Sequence, residues 1–469
     1  MQTERPATVE RPVPPPISIP PTPPERPRSH SARADAQAAT AAASFPRSPD
    51  APRAQRSRTL ARLTRLALAL GPGILAMAAD NDAGGLLSYA TTGAVMGVRF
   101  FLIALIPLAV LTYTVQEMAT RLGAVTGRSL PELVRHVAGD VWARVLAVDL
   151  ALQNTATLIA EFAGMTFGLA HFGIPVPVGA LIAFVLVGAV LLIGSYQTVE
   201  TIGLTLVAVN LMLIPLALRH AGLAAVRPWP SRSEISGPLF TVFAVGLAGN
   251  AIAPWMPFFQ ADAVRSHRDG PISLKSARAD LAAGTAIQVI VAGAVLLMAA
   301  SVRVGPAMPM SHWLARLGQA DGGWASDMFA IGLFDAGFVA ALTVSFSSAW
   351  TVVHTWSGRP TRGEPVQGRT LHHLGQRLRG ASATYLIFAT GLVVAALAVV
   401  IPGAPLALYA VGAQALSALL MPPIIFVLFL LTRRADILGR FRSRLVGSGL
   451  ALIALIVFGS ASIWLLLQG

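Results

Sequence analysis

The chain contains no cysteine. That excludes a disulfide framework and thiolate metal ligands, and it leaves the redox compartment open. Charge is also scarce: Asp, Glu, Lys and Arg make up 12% of 469 residues, while 54% are hydrophobic. Soluble domains carry about 25% charge to cover their surface. The short alternating segments of an outer-membrane barrel are missing too. Lysine is almost absent, Lys275 being the single one, so the net charge of +13 is nearly all arginine. None of the nine histidines falls in the core of an apolar run, which excludes a histidine proton relay deep in such a segment. There is no HExxH, phosphate-cradling loop or nucleophile elbow, which argues against an embedded enzyme.

What is present is a series of apolar runs of roughly 18–25 residues, each long enough to cross a bilayer core. The fold class is therefore all-α and polytopic, with lipid as the surrounding partner and no nucleic acid. Residues 1–60 form a separate region holding 13 of the 33 prolines, with Arg, Ser and Ala. This composition predicts disorder. It lacks the apolar core of a signal peptide. It reads as an incidental tail or as a basic arm touching anionic lipid. Residues 61–469 form the membrane domain. Eleven spans are expected near 66–95, 99–119, 142–170, 177–195, 199–218, 237–261, 282–303, 328–353, 383–402, 405–431 and 446–467. Most Lys and Arg lie in the tail and after spans two, six, eight and ten. This bias predicts a cytoplasmic-membrane protein with its N-terminus inside.

The first span would be about 45 Å long as one helix, too long for an untilted crossing. Two half-helices fit better, joined at "DNDAGG", where Gly84 and Gly85 release the backbone. Span six has a similar interruption in "AVGLAGNAIAPWMPFF", with Gly246, Gly249, Asn250, Pro254 and Pro257. Two broken helices five spans apart point to a 5+5 inverted repeat with an eleventh helix, and to a transporter. Unwound backbone at membrane depth must face protein or a watery cavity, so the breaks should meet near the midplane. Freed carbonyls and a carboxylate there would form a cation site.

An Asp at the centre of a span costs about 2.5–3.5 kcal/mol. Asp82, beside the glycines, is the stronger ligand candidate. Asp80 lines a vestibule or pairs elsewhere. In span three Asp149, Gln153, Thr157 and Glu161 lie along one helix face. They read as an ion or proton pathway or as interhelical hydrogen bonding. The stripe Asp335, Thr343, Ser347 and Thr351 in span eight poses the same choice, with packing favoured by its small hydroxyls. Gln414 in span ten is deep enough to reach a central site. Met77 and Met256 fall near the breaks and read as packing residues.

"GPGILAMAADNDAGG" resembles the first helix of the NRAMP divalent-metal transporters, whose pattern is GPG followed by Asp-Pro-Gly-Asn. Aligned on Gly71-Pro72-Gly73, Asp82 falls on the family's metal-binding aspartate. "RLGAVTG" at 121–127, Ala160-Glu161, Glu200, Gln414 and Pro422 continue the match. The resemblance implies a LeuT-type fold and divalent-metal transport. The departures are specific. The family's Pro is Ala83 and its ligating Asn falls on Gly85. Its Met-Pro-His of span six reads Ala253, Pro254 and Trp255, and its second His falls on Gln260. Its span-three Asp falls on Leu158. Loss of the sulfur disfavours soft metals. This pattern is similar to the NRAMP-related magnesium transporter branch. The resemblance implies a carrier of Mg²⁺, and also Mn²⁺, by alternating access without obligatory proton coupling and without a resident cofactor. The expected ligands are Asp82, backbone oxygens of Ala79 and Gly85, Gln414 and Asn250, with Ala253 shaping the far side. Trp255 would close the inner path, with Asp80, Glu161, Gln260, Asp149 and Asp335 along the route. The alternative is a proton-coupled Mn²⁺/Fe²⁺ carrier. An amino-acid carrier or a metal-gated receptor on the same fold is a more distant reading.

Overall fold

The computed structural model describes residues 71–193, 196–220, 235, 237–266, 273–302, 304–305, 310–319, 322–356, 382–404 and 406–468. The tail expected at 1–60 lies outside the described residues. Every regular element among the described residues is helical.

The expected first span is two helices, α1 (Pro72–Asp80) and α2 (Ala83–Met96). Next come α3 (Arg99–Thr126), the short α4 (Leu130–Ala138), α5 (Asp140–His171) and α6 (Val176–Ile193). Span five is α7 (Tyr196–Asn210) and α8 (Leu213–His220). The sixth span is also split, into α9 (Pro238–Ala251) and α10 (Trp255–Arg265). After α11 (Leu274–Ala300) come α12 (Met310–Gln319), α13 (Trp324–Trp356) and α14 (Ser382–Val400). The chain ends with α15 (Leu406–Arg433), α16 (Ala435–Leu438) and α17 (Leu445–Gln468). By length and composition, eight stretches can each cross a membrane: α3, α5, α7–α8, α9–α10, α11, α13, α15 and α17. Two shorter apolar helices, α6 and α14, and the α1–α2 pair fall at the positions of the other expected spans.

One expected element differs. The run 199–218 reads as a single helix, yet α7 ends at Asn210 and α8 starts at Leu213. Pro215 has no N–H to give the Leu211 carbonyl and its ring crowds that turn. The chain tightens there, with Met212 N–H on Val209 O at 2.9 Å and Ile214 N–H on Leu211 O at 3.1 Å.

The halves pack reciprocally. The first broken span lies against α11, and the second lies against α3 through α10 and against α15 through α9. Long α5 lies between α13 and α15. Gly71-Pro72-Gly73 has a local reason. Proline opens α1, where its missing N–H is not needed. Asp280 of α11 accepts the Gly71 and Gly73 N–H groups at 2.8 and 2.7 Å, so a carboxylate caps the helix start. A Cβ on Gly73 would lie 2.7 Å from Asp280 Oδ2 and 2.8 Å from the Leu281 backbone, so only glycine admits this approach.

Asp280→Ala leaves two buried-end N–H groups without their acceptor and is expected to lower stability by about 1–3 kcal/mol. Asp280→Asn, which keeps one acceptor oxygen, should lose less. Thermal melting of the purified protein in detergent checks both.

Candidate cation site

The first break is two residues long. Asn81 (φ −77°, ψ 52°) leaves the helix, and Asp82 (φ −68°, ψ 171°) is extended and caps α2. Asp82 Oδ1 accepts from the Gly85 N–H and from Gln414 Nε2, the latter at 3.2 Å. The Ala83 N–H donates to Glu161 Oε2 of α5 at 3.0 Å. In an unbroken helix it would close on the Ala79 carbonyl. The Asp82 and Glu161 carboxyl groups also lie within hydrogen-bond reach of each other. Two carboxylates that close require a proton or a cation between them.

Asn250, in the last turn of α9, brings the second break to the same place. Its Nδ2 donates to the Gly85 carbonyl at 3.3 Å. Its Oδ1 and Asp82 Oδ1 crowd the point a Gly85 Cβ would occupy, at 3.5 and 3.0 Å. Asn250 Oδ1 and Glu161 Oε1 are buried and have no hydrogen-bond partner. Other buried polar atoms among the described residues also lack partners; these two are set apart by belonging to the group that joins the two breaks. Asp82, Glu161, Asn250 and Gln414 are all at most 4% exposed, so the cluster is closed to solvent. Among the described residues no three His, Cys, Asp or Glu side chains converge as a metal cluster. Amide oxygens are thus part of any donor set here.

The glycines act differently from expectation. Gly84 and Gly85 do not form the break; they lie inside α2. A Cβ on Gly84 would lie 2.9 Å from Gln414 Nε2, so their smallness makes room for neighbours. The Gly85 carbonyl, expected to face an ion, has one lone pair engaged by Asn250.

Other expected site residues are placed elsewhere. Asp80 turns to α11, where Gln288 Nε2 donates to it, and the Ala253 amide lies beside it. Asp335 accepts from Asn210 Nδ2 at 2.8 Å. Gln260 Nε2 donates to Thr120 Oγ1 at 3.1 Å. Asp149 is half-buried, three turns before Glu161 on α5. Between them Gln153 binds Thr157 at 3.1 Å and also Ser417, so that part of the stripe is interhelical bonding. In α13 Thr343 bonds back to its own helix, and Ser347 donates to the Trp255 carbonyl at 3.1 Å. Trp255 is fully buried and meets Phe259 edge-on at 5.8 Å.

Sequence reasoning missed two contributors, Gln288 and Thr112, and read a third, Met256, as packing. The Gln288 side chain donates to the Ala251 carbonyl at 3.2 Å as well as to Asp80, and the Gln288 backbone carbonyl receives Asn81 Nδ2 at 3.1 Å. Thr112 of α3 donates to the same Ala251 carbonyl at 2.9 Å. Met256 Sδ receives the Ala253 N–H at 3.3 Å, which puts a sulfur at the second break. Gln288 had a visible signal, a lone amide in an apolar run like Gln414. Thr112 had none.

Gln288→Leu strips a donor from both Asp80 and the Ala251 carbonyl and is expected to destabilise by about 1–3 kcal/mol. Gln288→Glu should cost more, because it sets a second carboxylate beside Asp80. Melting temperature in detergent reads both.

Residues 73–468 match the family described as "Natural resistance-associated macrophage protein-like", Nramp. A divalent metal cation transporter MntH of Burkholderia ambifaria is 26% identical over 421 residues, covering 84% of this chain and 88% of that one. The MntH of Levilactobacillus brevis is 30% identical over 191 residues, 39% of this chain and 41% of that protein. Several of the relatives are thus matched over less than two thirds of their own length. Among solved structures, a mutant of the Eremococcus coleocola manganese transporter superposes with TM-score 0.66 at 18% identity, covering 85% and 86% of the two chains. MhsT in complex with L-phenylalanine gives 0.59 at 14% identity, covering 85% and 98%. The two structures share the LeuT-type fold with this chain. With a family match spanning nearly all of the described helices, this chain is a member of the Nramp family.

Proposed function

We propose that the protein is a secondary transporter that brings divalent cations, Mg²⁺ and also Mn²⁺, across the cytoplasmic membrane by alternating access, with its N-terminus inside and without obligatory proton coupling. The observation that supports it is the closed group formed by Asp82, Glu161, Asn250 and Gln414 between the two helix breaks, with Asn250 Oδ1 and Glu161 Oε1 lacking donors. A dication placed there neutralises the facing carboxyls and supplies the missing partner. Oxygen donors suit hard ions, and Mg²⁺ is commonly held by one or two carboxylates while keeping several waters. The Ala79 carbonyl, released by the diversion of the Ala83 N–H, is a further donor. Ala253, where the family pattern has Met, adds no ligand from its side chain. Trp255 with Phe259, Tyr196 and Trp350 forms an aromatic cluster below the second break and closes the inner path.

A second reading is a proton-coupled Mn²⁺ or Fe²⁺ carrier. The facing Asp82 and Glu161 carboxyls could hold a proton, and Met256 Sδ stands at the second break. The names of the relatives, divalent metal cation and manganese transporters, are compatible with both readings. An amino-acid substrate is disfavoured, because its carboxylate would meet Asp82 and Glu161.

Uptake into liposomes with a luminal pH dye separates the two. Mg²⁺ and Mn²⁺ should enter without stoichiometric acidification, and Cd²⁺ should compete weakly. Strong Cd²⁺ preference, or acidification in proportion to metal, would favour the second reading. Asn caps helices as well as Asp does, whereas Ala costs about 1 kcal/mol. Asp82→Asn should therefore keep the fold and lose uptake at least tenfold, while Asp82→Ala should lose both uptake and some thermal stability.

A further inference from the structure

A cavity of about 790 Å³ opens between α3 and the start of α17, remote from the helix breaks. Its polar wall carries Arg278, Arg440, Arg442 and Arg444. Glu117 at its edge pairs with Arg121 and with Arg278, the latter at 2.6 Å, so it offsets charge at Arg278 and leaves that of Arg440, Arg442 and Arg444. Among the described residues, Arg440, Arg442 and Arg444 make no ion pair, and all three are exposed. Arg440 lies over the Phe441 ring at 4.9 Å.

The segment bearing these arginines is held in place. Arg121 of α3 donates to the Phe441 carbonyl at 3.2 Å and to Ser443 Oγ at 3.1 Å. Ser443 N–H in turn bonds the Thr432 carbonyl at 2.8 Å. The cationic rim is therefore tied to two spans.

Below the rim the wall changes character. Val110 of α3 and Val446 and Leu450 of α17 continue the cavity along the apolar faces of two helices. Val110 is 45% exposed and Val446 77%. A soluble anion would use the arginines and leave this apolar wall unfilled. A molecule with an anionic head and apolar chains covers both. The rim lies on the side that the Arg distribution assigns to the cytoplasm, where the leaflet is anionic and each basic residue near it adds attraction. The Pro-rich tail carries more Arg than acid, so it is the wrong charge for this groove.

We infer that the groove between α3 and α17 is a binding site for an anionic phospholipid, with its phosphate on Arg440, Arg442 and Arg444 and its acyl chains against Val110, Val446 and Leu450. The site shares no residue with the cation cluster.

The test uses the full chain purified in detergent, with native mass spectrometry and thermal melting as readouts. The probes are dioleoyl phosphatidylglycerol, dioleoyl phosphatidylcholine and inorganic phosphate. Phosphatidylglycerol should be retained and raise the melting temperature, with phosphatidylcholine bound at least tenfold more weakly. Each single change of Arg440, Arg442 or Arg444 to Gln should weaken retention by about fivefold, and the triple variant carrying all three changes should weaken it further. Val446→Trp, which blocks the chain groove at an exposed position, should lower lipid retention with all arginines in place, so the proposal stays testable if the triple variant does not fold. Equal binding of phosphatidylcholine would overturn the inference. So would unchanged phosphatidylglycerol retention in either variant. Displacement of the lipid by millimolar phosphate would assign the site to a soluble anion and overturn it as well.

Discussion

Everything about the centre of this protein depends on how the backbone groups exposed by two broken helices are satisfied without water. Each unsatisfied peptide group in hydrocarbon costs several kcal/mol, so a break survives only if other helices answer it. Here they do. Glu161 takes the Ala83 N–H, Asp82 takes the Gly85 N–H, and Thr112 and Gln288 share the Ala251 carbonyl. The breaks are therefore held open by side chains from α3, α5 and α11, and the groups not so occupied are what remains for an ion.

The same accounting separates two aspartates that stand two residues apart. Asp82 is a cap and a candidate ligand, facing Glu161 and Gln414. Asp80 ends α1 and is turned to Gln288 and the Ala253 amide. One carboxylate joins the cluster between the breaks, and the other ties the first broken span to α11. A second dense polar region, around Glu117, Arg121 and Arg278, ties α3 to α11 and to the loop before α17. It stands apart from the breaks and orders a charged rim.

Much of this was legible in the residues. Long apolar runs give spans, because lipid leaves a helix few alternatives. A proline pair with glycines and Asn250 inside one run marks a break, because Pro254 and Pro257 lack donors. Asp82, Glu161, Asn250 and Gln414 stood out as polar groups in apolar surroundings. The roles of Gly84 and Gly85 were not legible. They looked like flexible joints, yet they are helical and serve close approach. The split at Pro215 was readable in principle from the lost donor, but an apolar run masks it.

By itself the sequence determined the membrane class, the spans and where two of them must break, since these follow from local hydrophobicity and from residues lacking a donor or a side chain. Only the tertiary structure decided which way each polar group points. Gln414 reaches Asp82 from 332 positions away, and Gln288 reaches Asp80 from 208. A residue's place on its own helix is a matter of local period. The partner it meets depends on how distant helices rotate and pack against one another, and no local stretch of chain carries that information.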